Sequence, residues 1–197
     1  MSIRFDNQVV IVTGAGGGLG KEHALGFARR GAKVVVNDLG GGVDGSGASD
    51  AANAVVDQII SEGGEAIANG ASVTDLEAVQ AMVNEAKEKW GRIDILVNNA
   101  GILRDKSFHK DTIESFNTVM DVHFQGTLNC THTVYPIMRE QEFGRIIFTS
   151  SSSGVFGNFG QANYGSAKMA MVGLMNTLKL EGQKYNVFTN SITPVAY

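Results

Sequence analysis

Six short runs with strand character, at residues 9–13, 33–38, 65–69, 93–98, 145–150 and 187–192, are spaced along the 197-residue chain, and stretches of helical period fill the gaps. Apolar runs of this length with little internal alternation suit strands buried on both faces, as in a parallel sheet. The helix linking each pair of parallel strands must then cover one face of the sheet. Right-handed crossovers lead to a doubly wound α/β sheet of the Rossmann type, with strand order 3-2-1-4-5-6. The third gap shows its period most plainly. Leu76, Val79, Val83, Ala86 and Trp90 recur at steps of three and four, which predicts a helix with one apolar stripe. In such sheets ligands bind beyond the carboxyl ends of the strands. Gly14, Asp38, Asn98, Ser151 and Pro194 all fall at those ends.

The first of these ends carries the clearest chemistry. Val9-Val10-Ile11-Val12 runs directly into Thr13-Gly14-Ala15-Gly16-Gly17-Gly18-Leu19-Gly20, and a helical pattern follows from Leu19 to about Arg30. Glycines allow a tight turn and close approach of the backbone to a pyrophosphate. The helix behind them offers free N–H groups and the positive end of its dipole. The spacing of Gly14, Gly18 and Gly20 is G-x-x-x-G-x-G, not the more familiar G-x-G-x-x-G. The second run, Lys33-Val34-Val35-Val36-Asn37-Asp38, ends in an acid, and no arginine follows closely. A carboxylate there accepts a hydrogen bond from an adenosine ribose 2′-OH and repels a 2′-phosphate, so NAD is favoured over NADP. The competing reading is that Asp38 merely begins a loop.

Further along, Tyr164 and Lys168 stand four residues apart on a predicted helix, with Ser151 thirteen residues before the tyrosine. Positions i and i+4 share a helix face, so an ammonium lies beside a phenol. Free tyrosine titrates near pKa ~10. A cation within about 4–6 Å lowers that value, towards the range where acid–base catalysis is efficient. The reading predicts that Lys168 depresses Tyr164, and that Ser151 holds the reacting oxygen.

Taken together, these residues resemble the short-chain dehydrogenase/reductase family over the whole chain. Its TGxxxGxG matches Thr13 to Gly20, its NNAG matches Asn98 to Gly101, and its Ser…YxxxK matches Ser151, Tyr164 and Lys168. Three further segments, Asn37 to Gly41, Asn98 to Phe108 and Gly157 to Tyr164, are similar to one subgroup. It comprises the (3R)-hydroxyacyl-CoA dehydrogenase units of peroxisomal multifunctional enzymes of type 2 and their bacterial stand-alone relatives. The Gly-rich stretch Gly40–Gly47, which reads as a mobile loop, resembles the longer loop of that subgroup.

The resemblance implies roles. Tyr164 takes the hydroxyl proton as a hydride leaves the substrate for the nicotinamide. Lys168 lowers the Tyr164 pKa and bonds the nicotinamide ribose, and Ser151 holds the substrate oxygen. Thr13, Gly14, Gly18, Leu19, Gly20 and Asp38 belong to the cofactor site. So do Ser72 and Val73 (Ser where Asp is usual), Asn99, Ala100, Gly101, Ile192 and Pro194. Asn98 and Asn99 are expected to tie strands together. Val195 stands where a Gly usually follows that Pro.

His123 occupies a helix position where many members have Asn and the subgroup also has His. A proton relay and a half-buried structural His are both open readings there, because imidazole titrates near neutral pH. Leu103, Val155, Phe156 and Phe159 either line an acyl pocket or belong to the core, and Arg104 and Lys106 either meet CoA phosphates or are simply solvated. His23, His109 and His132 read as surface or packing residues.

Composition narrows the field. A net charge of −4 without a basic cluster argues against nucleic acid. One cysteine, Cys130, excludes an internal disulfide and reads as a small core residue. No metal-ligand spacing occurs among it and the four His. There is no signal-peptide pattern, and no apolar run approaches the ~18–20 residues of a membrane span. The chain reads as a soluble intracellular protein, cytoplasmic if bacterial and peroxisomal if eukaryotic.

The expected organisation is a single dinucleotide-binding catalytic domain over 1–197, truncated at its C-terminus and lacking the family's seventh strand. An intact mass above that of these residues would bear the truncation out. A homodimer or homotetramer is expected from family habit, through helices around 112–135 and 161–182. The expected activity is NAD-dependent oxidation of a secondary alcohol, a (3R)-3-hydroxyacyl-CoA being the favoured substrate. The alternatives are an NADPH-dependent 3-oxoacyl reductase and a non-catalytic NAD-binding sensor or scaffold.

Overall fold

A computed structural model describes residues 3–42, 44, 45 and 50–194. Positions 43, 46 and 47 of the expected Gly40–Gly47 loop, and Val195, lie outside the described residues. The six strands are β1 (Val9–Thr13), β2 (Lys33–Asn37), β3 (Glu65–Asn69), β4 (Ile95–Asn98), β5 (Gly144–Thr149) and β6 (Val187–Ile192). They form one parallel sheet in the order β3-β2-β1-β4-β5-β6, the doubly wound order expected. Among the described residues β6 pairs only with β5, so its outer side is an edge.

The unbroken apolar strands follow from two cores. On β1, Val9 and Ile11 face one way, against Val79, Met82, Val83 and Ala86 of α3 (Leu76–Trp90), Cys130, Val134 and Met138 of α5 (Gly126–Glu140), and Met171. Val10 and Val12 face the other way, against Ala24 and Leu25 of α1 (Gly18–Ala28) and Val55, Val56 and Ile59 of α2 (Ala51–Ser61). Each fully buried aliphatic side chain contributes about 1.5–3 kcal/mol of transfer free energy. Cys130 is buried as expected, and burial pushes its thiol up to about 12.

In α3 the stripe begins one turn later than the spacing suggests. Leu76 at the first position is exposed, and Met82 takes the buried place. The helix starts at Asp75, whose carboxylate accepts from the Glu77 and Ala78 N–H groups, and it stops at Gly91 in the left-handed region.

The remaining helices are α4 (Ile113–Met120), α6 (Ser152–Phe156) and α7 (Ala162–Gly182). Between α4 and α5 the chain runs without a break through a π-helical stretch, Asp121–Gln125. Of the described helices, none is long and apolar enough to cross a membrane.

Candidate active site

The loops after β1 and β4 are joined by Thr13 and Asn99. Thr13 Oγ1 accepts from the backbone N–H of Asn99 (3.0 Å) and Ala100 (3.1 Å). Asn99 Nδ2 donates to the carbonyls of Thr13 (3.1 Å) and Gly14 (3.0 Å). Asn98 turns to the helical layer, donating to Thr131 Oγ1 at 3.1 Å. Gly14 has φ +61°, and a Cβ there would lie 2.8 Å from the Ala100 Cα. A Cβ at Gly20 would strike the Gly14 carbonyl, so only glycine lets α1 start this close to the strand.

Outside that turn, Gly17, Gly18 and Leu19 are exposed, and a Cβ at Gly17 or Gly18 would meet nothing within 4 Å. The first N–H groups of α1 have no acceptor inside the helix. Together with the dipole they give a cradle that fits a pyrophosphate. Asp38 lies beside it. Its Oδ2 accepts from Gly16 N–H at 2.8 Å and its Oδ1 from Gly40 N–H at 2.7 Å. The carboxylate is thus held by two backbone donors, one of them the i+2 contact of an Asx turn, so the loop-opening reading stands beside the ribose-binding one. Val73 is buried and its carbonyl accepts from Asn129 Nδ2, while Ser72 Oγ pairs with Thr74 Oγ1 at 2.8 Å. Ile192 closes β6, its carbonyl accepting from Ser150 N–H at 2.8 Å, and Pro194 is half-buried just beyond it.

The polar centre forms where β5 ends against α7. Ser151 caps α6, its Oγ accepting from Ser153 N–H at 3.2 Å. The neighbouring Ser150 is occupied elsewhere, because its Oγ donates to the Lys168 carbonyl at 2.8 Å. Tyr164 and Lys168 share a face of α7, with Lys168 Nζ 5.2 Å from the Tyr164 ring centroid. That ammonium donates to the Thr149 carbonyl at 2.6 Å, and burial takes its pKa down to about 8.

Tyr164 departs from the sequence expectation. Burial raises its pKa above the ordinary tyrosine value, the Asp105 charge adds to the rise, and the hydrogen bond from Ser151 opposes it. Lys168 Nζ, although 5.2 Å from the ring centroid, is drawn to the Thr149 carbonyl.

His123 sits in the π-helical stretch and is 2% exposed. Its Nε2 is 3.0 Å from the Ile102 N–H nitrogen and 2.8 Å from the Ile102 carbonyl oxygen. One imidazole tautomer accepts from the former and the other donates to the latter. Its ring stands edge-on to Tyr164, centroids 5.1 Å apart. Gly101 must lack a side chain because a Cβ there would overlap the imidazole. Burial, helped by the Lys168 charge, brings the His123 pKa down to about 3, so the ring is neutral and fully buried, not half-buried. Its Nδ1 has no partner among the described residues. The other histidines lie apart from this centre: His109 and His132 are exposed and His23 is half-buried.

Leu103, Val155, Phe156 and Phe159 are 39–90% exposed, which removes the core reading and leaves them free at the rim. Arg104 Nε donates to the Asp44 carbonyl at 3.4 Å, and Lys106 is exposed with its backbone N–H bound to the Gly160 carbonyl. The structure adds residues that no motif singled out. Asn163 is 1% exposed and bonds to Arg104 and Asp111, partners 59 and 52 residues away. Gln161 Nε2 donates to Asp105 at 2.8 Å. Contacts at such separations leave no local pattern; the signal available was that Asn163 and Gln161 lie in the subgroup-like segment Gly157–Tyr164.

A family model described as short chain dehydrogenase matches residues 8–197. The chain is 54% identical over 195 residues to peroxisomal multifunctional enzyme type 2 of Drosophila melanogaster, covering 98% of this chain and 32% of that protein. It is 55% identical over 196 residues to the peroxisomal hydratase-dehydrogenase-epimerase of Saccharomyces cerevisiae, covering 99% of this chain and 22% of that one. The chain therefore spans a third or less of the length of these two curated relatives. Among solved structures, a short chain dehydrogenase from Mycobacterium avium superposes with TM-score 0.90 at 43% identity, over 97% of this chain and 68% of that one. A 7α-hydroxysteroid dehydrogenase complexed with NADH and 7-oxo glycochenodeoxycholic acid superposes with TM-score 0.89 at 34% identity, over 98% and 72%.

Proposed function

The chain belongs to the short-chain dehydrogenase family, and from that premise we propose that it oxidises a secondary alcohol with NAD, the substrate being a (3R)-3-hydroxyacyl-CoA that becomes the 3-oxo thioester. The observation that carries the reading is the convergence of Ser151, Tyr164 and Lys168 on one buried polar centre beside the glycine cradle. A bound nicotinamide would supply the hydride acceptor for the carbinol carbon.

The chain's own residues handle the proton. Tyr164 Oη removes it from the substrate hydroxyl as the carbonyl forms. Ser151 Oγ donates to the substrate oxygen and stabilises charge developing there. Lys168 keeps a cationic field under the Tyr164 ring and is available to the nicotinamide ribose. Burial raises the phenol, so oxidation should quicken as the pH rises through the titration of Tyr164. His123, neutral and bound to the Ile102 backbone, supports Tyr164 by packing and is ill-suited to carry a proton as imidazolium.

Asp38 supports NAD. Its carboxylate, held by the Gly16 and Gly40 N–H groups, would accept from the ribose hydroxyls of a bound cofactor and repel a 2′-phosphate. Thr13, Gly14, Gly18, Leu19 and Gly20 would hold the pyrophosphate, Ser72 and Val73 would flank the adenine, and Asn99, Ala100, Gly101, Ile192 and Pro194 would surround the nicotinamide half. The acyl substrate is supported by the likeness to the multifunctional-enzyme subgroup and by the exposed apolar side chains Leu103, Val155, Phe156 and Phe159.

We read residues 1–197 as one dinucleotide-binding catalytic domain. It would assemble as a homodimer or homotetramer through α4, α5 and α7, in the peroxisome of a eukaryote or the cytoplasm of a bacterium.

The test is NADH formation by the full-length protein on matched (3R)- and (3S)-3-hydroxyacyl-CoA. Turnover confined to the (3R) form supports the reading, and turnover on neither overturns the substrate. Tighter binding of NADPH than of NADH would overturn the cofactor and favour the 3-oxoacyl reductase. NADH binding without turnover on any alcohol would favour the sensor.

A further inference from the structure

The residue before Tyr164 is a buried amide with all of its principal hydrogen-bonding capacity in use. Asn163 Oδ1 accepts from the Tyr164 backbone N–H at 2.6 Å, one of the N–H groups that the start of a helix leaves without an internal partner. Its Nδ2 donates both to the Arg104 carbonyl at 3.0 Å and to Asp111 Oδ2 at 3.1 Å. One side chain therefore joins the first turn of α7, the segment after β4 and the approach to α4.

The same segment is secured on either side of Asn163. Ile102 is held by His123, and Lys106 N–H donates to the Gly160 carbonyl at 2.9 Å. Gln161 Nε2 holds the Asp105 carboxylate, and Lys106 and Gln161 form an isolated parallel bridge. Asp111 Oδ1 accepts from Thr112 N–H at 3.0 Å, which fixes the carboxylate that Asn163 uses. Residues 102–111 thus form a strap laid along residues 160–163, with Leu103 exposed on it near the polar centre.

We propose that Asn163 is a positioning residue, a clamp that makes the strap 102–111 and the base Tyr164 move as one body. The substrate wall and the proton acceptor then keep a fixed separation. This inference rests on the reading of Tyr164 as the base.

The test uses the full chain and three variants: Asp111→Ala, N163D, and N163D combined with D111N. Asp111→Ala removes one anchor from the half-buried end of the clamp and leaves the helix core intact. It should raise KM for the alcohol several-fold, up to about tenfold, the effect of one ordinary hydrogen bond. N163D keeps the acceptor for Tyr164 N–H but sets a second carboxylate against Asp111 and the Arg104 carbonyl. It should lower kcat/KM by about 10²-fold, the scale of a small misplacement of reacting groups. Adding D111N restores a donor opposite the new carboxylate and should recover most of that loss. The dissociation constant for NADH should stay within about twofold throughout, since no cofactor contact changes.

Amide exchange followed by mass spectrometry supplies a readout that needs no turnover. Exchange over 102–111 should quicken in Asp111→Ala and N163D and return towards wild type in the double variant. Unchanged KM and unchanged exchange in Asp111→Ala, or no recovery in the double variant, would overturn the clamp. Retained turnover in Tyr164→Phe would instead overturn the base, so the two failures are distinguishable.

Discussion

The two ends of the parallel sheet treat buried polarity in opposite ways. At the amino ends of the strands Asp94 is fully buried, yet its carboxylate accepts from Val9 N–H at 2.8 Å and from Arg92 through Nε and Nη2. Around it Arg4 pairs with Asp6, Arg29 with Glu62 and Lys33 with Glu65. At the carboxyl ends Lys168 is 3% exposed and pairs with no carboxylate among the described residues: its ammonium rests on a backbone carbonyl. Asn98 Oδ1, His123 Nδ1 and Thr149 Oγ1 are buried there without a partner among the described residues. Unpaired buried polarity costs stability, so the amino end is arranged to hold the fold and the carboxyl end to keep reactive groups available. Substitutions at the two ends should therefore separate activity from stability.

The largest effect expected is that of Tyr164→Phe. Turnover should fall by about 10²–10⁴-fold, the usual contribution of a general base, while the unfolding midpoint and NADH affinity stay close to wild type. Steady-state kinetics with a thermal melt would check it, and loss of fold in place of activity would break the contrast. Next is Asp94→Ala at the other end, which strands the buried Val9 N–H. It should cost about 2–3 kcal/mol of stability in a denaturant titration and leave kcat of the folded fraction unchanged.

His123 sharpens the comparison through pH. Its folded pKa, about 3, lies below its ordinary 6.5, so between those values the unfolded chain binds a proton that the folded one refuses. The stability it preserves is complete above about pH 6.5 and is lost as the pH falls towards 3. At about 1.4 kcal/mol per pH unit the loss amounts to a few kcal/mol. His123→Gln should flatten this acid limb in urea titrations at stepped pH, and an unchanged slope would show that the loss arises elsewhere.

Asp105→Asn removes a negative charge that holds the Tyr164 phenol up. The rising limb of log kcat/KM for oxidation should move to lower pH, and a limb that stays or moves up would contradict the electrostatics. The smallest effect is that of Arg29→Ala. Arg29 holds the Glu62 carboxyl down to about 2, but both are at the surface and solvent screens the pair. The midpoint of unfolding should stay where it is in a thermal melt.

Most of the scaffold was legible in the sequence, because strands buried on both faces and glycines forced by close approach leave marks at fixed local spacing. Val9 to Gly20 is the clearest case: strand, turn and helix start follow one another in the order read. Ser151, Tyr164 and Lys168 were legible as a set for the same reason. Their energetics were not. The Tyr164 pKa depends on how deeply α7 is buried and on where Lys168 Nζ points, and neither has a local signature. Leu76 was misplaced because a helix's first turn need not face the core even when its spacing fits. The contacts of Asn163 and His123 join segments far apart in the chain, so single-sequence patterns pass over them.

The π-helical stretch Asp121–Gln125 has a consequence for anyone aligning or editing this chain. A π turn takes up an extra residue within otherwise continuous helix. Each residue of an α-helix advances about 100° around its axis. Removing one residue between 121 and 125 would let the helix run as plain α-helix while Asn129, Cys130 and Val134 keep roughly their orientation relative to Ser115 and Val119, because the π turn already absorbs that residue. A gap placed there in an alignment therefore leaves the buried faces in phase, whereas a helical wheel drawn at about 100° per residue slips by one position across the stretch and is sound only within α4 or within α5.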